Sequence, residues 1–470
     1  MSQTSTTPSS PESVRATFTH RKIWSIAWPL MIAWTAIALV RLTDTFVLGH
    51  LESYTYLAAV ALAGQLYNFA ISVCAFLSMG TVSLVSNARG RQQYDEALLW
   101  GLRSTVLGIV IALSMVTALT WALPYWLTFL GAEASTFDVA LSYSQVRLWG
   151  LVPAILMLPL QGLLLGFQQS RWVMGTSIAL TVCNGALSML FSWMWDYREV
   201  GVAWATVASQ WLAFIITAYG VVRLIKTTRH SQSFTQWTIQ WKGLTHKLGY
   251  LITVKRDLLI RSICIMTYLQ LMIRMSTELT DAHIAAMGIL MTFISLSSLI
   301  QDGFVTAVQI ITAQVWRPDQ PRLFLAIYPR LKRWVVGFSS ALISLYAFFG
   351  QWMIEALTPL TVVIELTSAK LWMVMLYIGF VSWTYFFNAC LLGMTETAKL
   401  RNTYFISLVL FIAMIIGIYN PNPTFNLLWG CVLLFEVVRL VMLRSHVRRV
   451  IRQPTSHMET STTNTSAGIV

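Results

Sequence analysis

Apolar stretches of about 20 residues recur along nearly the whole of this chain, and that recurrence limits it more than any other feature. Inside a bilayer every backbone polar group must be satisfied within the protein, so such stretches fold as helices. The runs near 23–48, 56–83, 98–121, 139–165, 170–194 and 200–224 predict six helices, and those near 250–277, 284–312, 334–354, 366–390, 401–419 and 424–443 predict six more. Only 11% of residues are charged, against about 25% in soluble domains. A soluble fold and a single-span anchor are both excluded. Residues 1–20 are polar and rich in Ser and Thr, unlike a cleavable signal segment, so the first apolar run is expected to stay as a helix. A basic-then-polar cytoplasmic tail is expected at 447–470, and residues 1–20 and the polar end from Thr455 to Val470 are expected to be disordered.

The net charge of +13 does not point to nucleic acid, because the basic residues sit in alternate connections. Arg89 and Arg91, Arg223 to Lys247, Arg317 to Arg333, and Arg444 to Arg452 follow even-numbered runs. The opposite connections carry Glu52, Glu133, Asp138, Asp196, Glu199, Asp281 and Glu355. By the positive-inside rule both termini are expected in the cytoplasm. Cys74, Cys183, Cys264, Cys390 and Cys431 lie singly in apolar runs, which excludes a CxxC metal knuckle and reads as small buried hydrophobes.

The longest polar internal segment lies near the midpoint and divides the chain. The expected units are an N-terminal six-helix lobe at 21–225, a cytoplasmic linker at 226–248 and a C-terminal six-helix lobe at 249–446. Two short matches share one offset of 227 residues. Leu57-Ala58-Ala59 pairs with Ile284-Ala285-Ala286, and Leu164-Leu165-Gly166 with Leu391-Leu392-Gly393. Six spans per half keep both halves in one orientation, so the expected fold is all-α, with two lobes related by a pseudo-two-fold axis along the membrane normal.

The candidate chemistry begins at 40–51, VRLTDTFVLGHL, where Arg41 and Asp44 interrupt an apolar run. A charge at membrane depth is costly and persists where it is paired or lines a water-filled path. At i,i+3 the two can touch. They read either as a neutralised structural pair or as a proton- or ion-binding carboxylate with Arg41 as its modulator. With a fixed rise of about 1.5 Å per residue, Asn184 and Ser188 on one face of the fifth run, and Thr206, Ser209 and Gln210 in the sixth, share the depth of Asp44. Packing between helices alone explains Ser209. Asp257, Arg261 and Asp302 are expected to form an intramembrane ion network of structural character. Asn68, Gln161, Gln210 and Gln270 are the polar candidates for a substrate cavity.

TDTFVLGHL, PLQGLLLGFQQ (159–169), GVAWATVASQ (201–210), RDLLIRS (256–262) and QDGF (301–304) together resemble the multidrug and toxic compound extrusion (MATE) family, in particular its branch of DNA-damage-inducible protein F. The likeness runs from roughly residue 20 to 445. It implies a twelve-helix, two-lobe antiporter of the bacterial inner membrane that expels organic, mostly cationic compounds in exchange for protons or sodium. The ion gradient would supply the energy, with no cofactor and no metal. Small organic molecules and lipids are the implied partners, nucleic acid is not, and a monomer is expected. The branch's coupling positions match Asp44, Asn184, Ser188 and Thr206. Ser188 stands where a second carboxylate is usual and Arg41 where a small or neutral residue is usual. Fewer carboxylate ligands and a nearby cation disfavour sodium, so protons are the expected coupling ion. Two other classes bear weighing. A lipid or amphiphile flippase of the same build would need cations lining its cavity. An intramembrane enzyme would need paired nucleophile and base, and neither HExxH nor GxSxG occurs.

Overall fold

The computed structural model describes residues 10–49, 54–129, 134–231, 247–276, 279–421 and 423–452. A capped N-terminal turn of helix, α1 (Pro11–Thr17), precedes the first lobe. That lobe holds α2 (His20–Gly49), α3 (Tyr54–Cys74) continued by α4 (Phe76–Gly90), α5 (Tyr94–Phe129), α6 (Ala134–Gly166), α7 (Ser170–Met189) and α8 (Arg198–Ser231). The second lobe holds α9 (Leu248–Ser276), α10 (Asp281–Val315), α11 (Pro321–Leu357), the short α12 (Thr361–Ser368), α13 (Leu371–Gly393), α14 (Thr397–Met414) and α15 (Phe425–Arg452).

Eleven of these segments are long and apolar enough to cross a membrane. The twelfth, α9, carries Lys255, Arg256, Asp257 and Arg261, which lower its hydropathy. Lys255, Asp257 and Arg261 are buried in protein rather than turned to lipid.

Two expected boundaries move. Part of the N-terminal segment expected to be disordered folds as α1, whose first turn is closed by reciprocal bonds between Ser10 and Ser13. α8 also runs into the expected linker as far as Ser231. Residues 232–246 and 453–470 lie outside the described residues.

The internal repeat extends to backbone detail. Gln168 and Thr395, 227 residues apart, both adopt positive φ, 61° and 60°. Each stands just past a helix end, and the next amide reaches back to close it. Gln169 N donates to Leu164 O at 2.9 Å, and Glu396 N to Leu391 O at 2.9 Å, the paired bonds of a Schellman-type cap. The glycines that begin these turns are there for contact. A Cβ on Gly166 would lie 2.4 Å from Val85, and one on Gly393 would lie 2.7 Å from Thr312, which is Val85 shifted by the same 227. Ala59 and Ala286, also 227 apart, are both fully buried. A single π turn closes α7 (Leu190–Met194) and another closes α14 (Ile415–Tyr419).

The apolar core is asymmetric along the bundle axis. At the end that bears the basic connections, one cluster joins both lobes, from Ile26, Leu77 and Leu163 to Leu251, Val308, Leu391 and Leu443. At the acidic end the core splits. One cluster around Tyr346, Phe411 and Trp429 belongs to the second lobe. Another around Ala63, Leu127 and Tyr143 belongs to the first.

Cross-lobe hydrogen bonds gather at the basic end as well. Lys255 Nζ donates to Leu77 O at 2.6 Å and to Thr81 Oγ1 at 2.9 Å, just past the break between α3 and α4. Gln309 Nε2 donates to Met79 O and Ser83 Oγ, both at 2.8 Å. Gln168 Nε2 donates to Gln314 Oε1 at 2.6 Å, and Arg317 donates to Gly90 O. Trp24 of α2 stacks on Trp334 of α11 at 5.6 Å, and Arg330 Nη1 reaches Phe18 O just after α1. The lobes are therefore joined at the basic end and have separate cores at the acidic end.

Candidate functional site

α2 packs along α7, and α7 along α8, so three helices meet around Asp44. Asn184 and Ser188, four residues apart, share the face of α7 that turns toward α2 and α8. The side chains of Asp44, Asn184, Ser188 and Thr206 are all buried.

The contacts on Asp44 are long. Ser188 Oγ lies 3.4 Å from Asp44 Oδ1, and Thr206 Oγ1 lies 3.4 Å from Asp44 Oδ2. Hydroxyl-to-oxygen bonds normally fall between 2.5 and 3.0 Å. The single proton of Thr206 has a better acceptor in Val202 O at 2.8 Å, while Thr206 Oγ1 accepts from Asn184 Nδ2 at 3.0 Å. Asn184 Oδ1 is buried with no partner. Among the described residues no cation forms an ion pair with Asp44. Three residues from two helices thus converge on the one carboxylate of α2, and none of them grips it tightly.

The side chain of Arg41 lies outside the described residues. Among the described residues, the cation whose charge acts on Asp44 is Arg147 of α6. Its guanidinium lies 4.0 Å from the centre of the Tyr67 ring and donates to Gln210 Oε1 at 3.4 Å. Gln210 Nε2 in turn donates to Tyr67 Oη at 2.8 Å. Arg147 is not singled out from the sequence, although the signal that marks Asp44, a charge in an apolar run, is present there too. Its distance in sequence from Asp44 hides the connection.

The four cavity candidates do not assemble. Gln161 is buried in α6, and Gln210 belongs to the Arg147–Tyr67 group. Asn68 and Gln270 are exposed on α3 and α9. A crevice of about 450 Å³ lies elsewhere, between α2, α7 and α10, lined by Met31, Thr35, Ile178, Thr181, Val182 and Ile300 among others.

The expected network of Asp257, Arg261 and Asp302 is corrected by geometry. Asp257 pairs with Arg401 at 2.8 Å and Arg256 at 3.3 Å and accepts from Thr397 Oγ1 at 3.2 Å. No ion pair joins Arg261 to either acid among the described residues. Arg261 instead sits 4.7 Å from the centre of the Tyr404 ring and donates to Tyr404 Oη and to Met79 Sδ, each at 3.4 Å. An i,i+4 spacing puts Asp257 and Arg261 on one face. It does not stop a cation of α14 from taking the acid first.

A buried pair that the spacing also permits, Glu436 with Arg439 of α15, adds to the second lobe's charges. Arg439 Nη2 donates to Tyr404 Oη at 2.8 Å, so both arginines converge on one phenol. Two ionisable residues at i,i+3 within an apolar run were the available signal.

The comparisons with known proteins bear on the fold and on sequence likeness. A family model described as MatE matches residues 29–190. DNA damage-inducible protein F of Escherichia coli K12 is 26% identical over 447 residues, covering 93% of this chain and 94% of that protein. A probable multidrug resistance protein NorM of Synechococcus is 29% identical over 182 residues, 37% of each chain. A solved structure described as the outward-facing conformation of a multidrug resistance MATE family transporter superposes with a TM-score of 0.80. It covers 94% of this chain and 97% of its own at 16% identity, and so shares the fold. With the sequence likeness spread over both lobes and the twelve-helix, two-lobe build in place, the chain is a multi-pass membrane protein with the fold of the MATE transporters, similar along 93% of its length to DNA damage-inducible protein F and matching the MatE family model in its first lobe.

Proposed function

We propose that this protein is a secondary active efflux antiporter that exports organic cations in exchange for protons, with Asp44 as the proton carrier. The observation that carries the reading is the loose hold on Asp44, a buried carboxylate whose hydroxyl contacts among the described residues are 3.4 Å long. A carboxylate locked in short charged bonds resists protonation, whereas one in this setting can exchange its proton as its surroundings rearrange. Ser188, Thr206 and Asn184 supply the hydrogen-bond partners, and Arg147 sets the local field.

The coupling to transport runs along α2. The helix that carries Asp44 near its acidic end also carries Met31 at the lobe boundary, where a Cβ on Gly303 of α10 would lie 2.4 Å from the Met31 amide nitrogen. Protonation of Asp44 releases its partners and lets α2 repack, and any repacking is felt at that tight contact. A proton shifts the balance of two forms only by binding one better than the other, and α2 is the element that differs. With the basic end in the cytoplasm, as the positive-inside rule directs, the closed end faces inward and the split end outward.

Sodium is the second reading, favoured by one observation: the unpartnered Asn184 Oδ1 is an oxygen free to ligate a cation beside Asp44. The test is dye efflux by the purified protein in inverted vesicles under an imposed pH gradient and, separately, an imposed sodium gradient. Efflux driven by the pH gradient alone is expected. Efflux driven only by sodium overturns proton coupling.

A further inference from the structure

Asp302 differs from the other intramembrane acids of its lobe. Asp257 and Glu436 are buried and ion-paired. Asp302 is exposed, and among the described residues none donates a hydrogen bond to its carboxylate or forms an ion pair with it. It lies thirteen residues short of Val315, roughly 20 Å of helix in from the basic end, and so at mid-membrane depth. A lone carboxylate there is sustained by facing a water-filled path or a partner that comes and goes.

Its neighbours place it at the seam between the lobes. The adjoining Gly303 fits against Met31 of the first lobe. Arg261, whose charge acts on Asp302, touches Met79 of the first lobe and is committed to Tyr404 of the second. One turn before Asp302 on the same face, Ser298 accepts a hydrogen bond from Tyr385 Oη at 3.5 Å. That contact brings the Tyr385 hydroxyl to within one helical turn of the carboxylate.

We propose that Asp302, flanked by Tyr385, docks the positively charged head of the transported organic cation, separately from the proton at Asp44. The inference rests on the antiporter reading for its substrate class. A proton needs no room, and Asp44 is enclosed. An ammonium carrying carbon groups needs an open carboxylate, and a neighbouring aromatic face adds cation–π attraction. Asp302 has both. Division of the two ligands between two carboxylates also lets each act on a different lobe.

The test measures binding of a fluorescent quaternary ammonium dye, and of an uncharged dye of similar size, to full-length protein in detergent. Asp302→Asn is expected to weaken the quaternary ammonium dye about tenfold or more, and to leave the uncharged dye unchanged. Asp302→Glu keeps binding within a few-fold, and Tyr385→Leu weakens it more than Tyr385→Phe does. Undiminished affinity of Asp302→Asn for the cation, or equal loss for both dyes, overturns the proposal. If Asp302→Asn does not fold, the Asp302→Glu and Tyr385 variants decide it, and normal binding by Tyr385→Leu together with lost binding in Asp302→Glu overturns it. Gradient-driven efflux by the wild-type protein is scored separately, so failure of antiport is distinguished from failure of this site.

Discussion

The two lobes share a helical frame but treat their carboxylates in opposite ways. In the first lobe Asp44 is surrounded by neutral hydroxyls and an amide, with Arg147 acting from beyond direct contact. In the second, Asp257 is held by Arg401 and Arg256, and Glu436 by Arg439. A buried ion pair is costly to break and so fixes geometry, whereas a carboxylate among neutral donors can change charge without leaving a stranded cation. The contrast assigns mobility of charge to the first lobe and rigidity to the second. Asp302, exposed at the seam, belongs to neither pattern.

The strongest way to break this contrast is Asp44→Asn. Proton-driven efflux is expected to fall to background while the yield and melting temperature of the protein stay near wild type. Wild-type efflux in that variant would move the proton path elsewhere and leave Asp44 a structural residue.

Arg439→Ala tests the rigid side. It strands the Glu436 carboxylate in the core, at a cost of about 3–5 kcal/mol. Lower yield and a lower melting temperature are expected, and adding Glu436→Gln should recover part of the loss. Full stability of Arg439→Ala with selective loss of efflux would mean that the second lobe also moves charge.

Lys255→Met sharpens the comparison where the lobes meet. It removes the donor to Leu77 O, at about 1–3 kcal/mol for a buried acceptor left unsatisfied. The closed basic end should open more often. Thiol labelling of Ser83→Cys, on a cysteine-free background, is expected to be faster with Lys255→Met than without it, and an unchanged rate would show that apolar packing alone keeps the end closed.

Ser188→Ala should give the smallest effect. A 3.4 Å contact contributes little, about 0.5 kcal/mol at the low end of the usual range. A few-fold change in efflux rate, read from initial rates under a fixed pH gradient, is expected. A loss as deep as that of Asp44→Asn would show that Ser188 is itself part of the proton path.

Much of this was legible in the residues because it rests on local rules. Apolar length and the alternation of basic and acidic connections give the helices and their order, and those are properties of segments. A fixed rise per residue puts Asp44, Asn184, Ser188 and Thr206 at one depth before any contact is known, and the structure brings all four together. The 227-residue offset likewise survives down to the caps at Gln168 and Thr395. Choice of partner was not legible. Arg261 and Asp257 have compatible spacing, yet Asp257 goes to Arg401 and Arg261 to Tyr404.

What the sequence by itself determined is therefore the number, order and repeat of the helices, and the depth of each polar group along its own helix. Hydropathy, charge and rise per residue act within one segment, so they need no knowledge of neighbours. Which groups meet across helices was left to the tertiary structure, because that depends on how each helix is rotated and on which competing partner packs best. The same holds for the closed basic end. Gln309 and Trp334 are unremarkable in their own segments, Lys255 is one of several charges in α9, and only the docking of one lobe on the other turns them toward Met79, Trp24 and Leu77. The two forms that the proposed antiport needs would share every local rule and differ only in that docking.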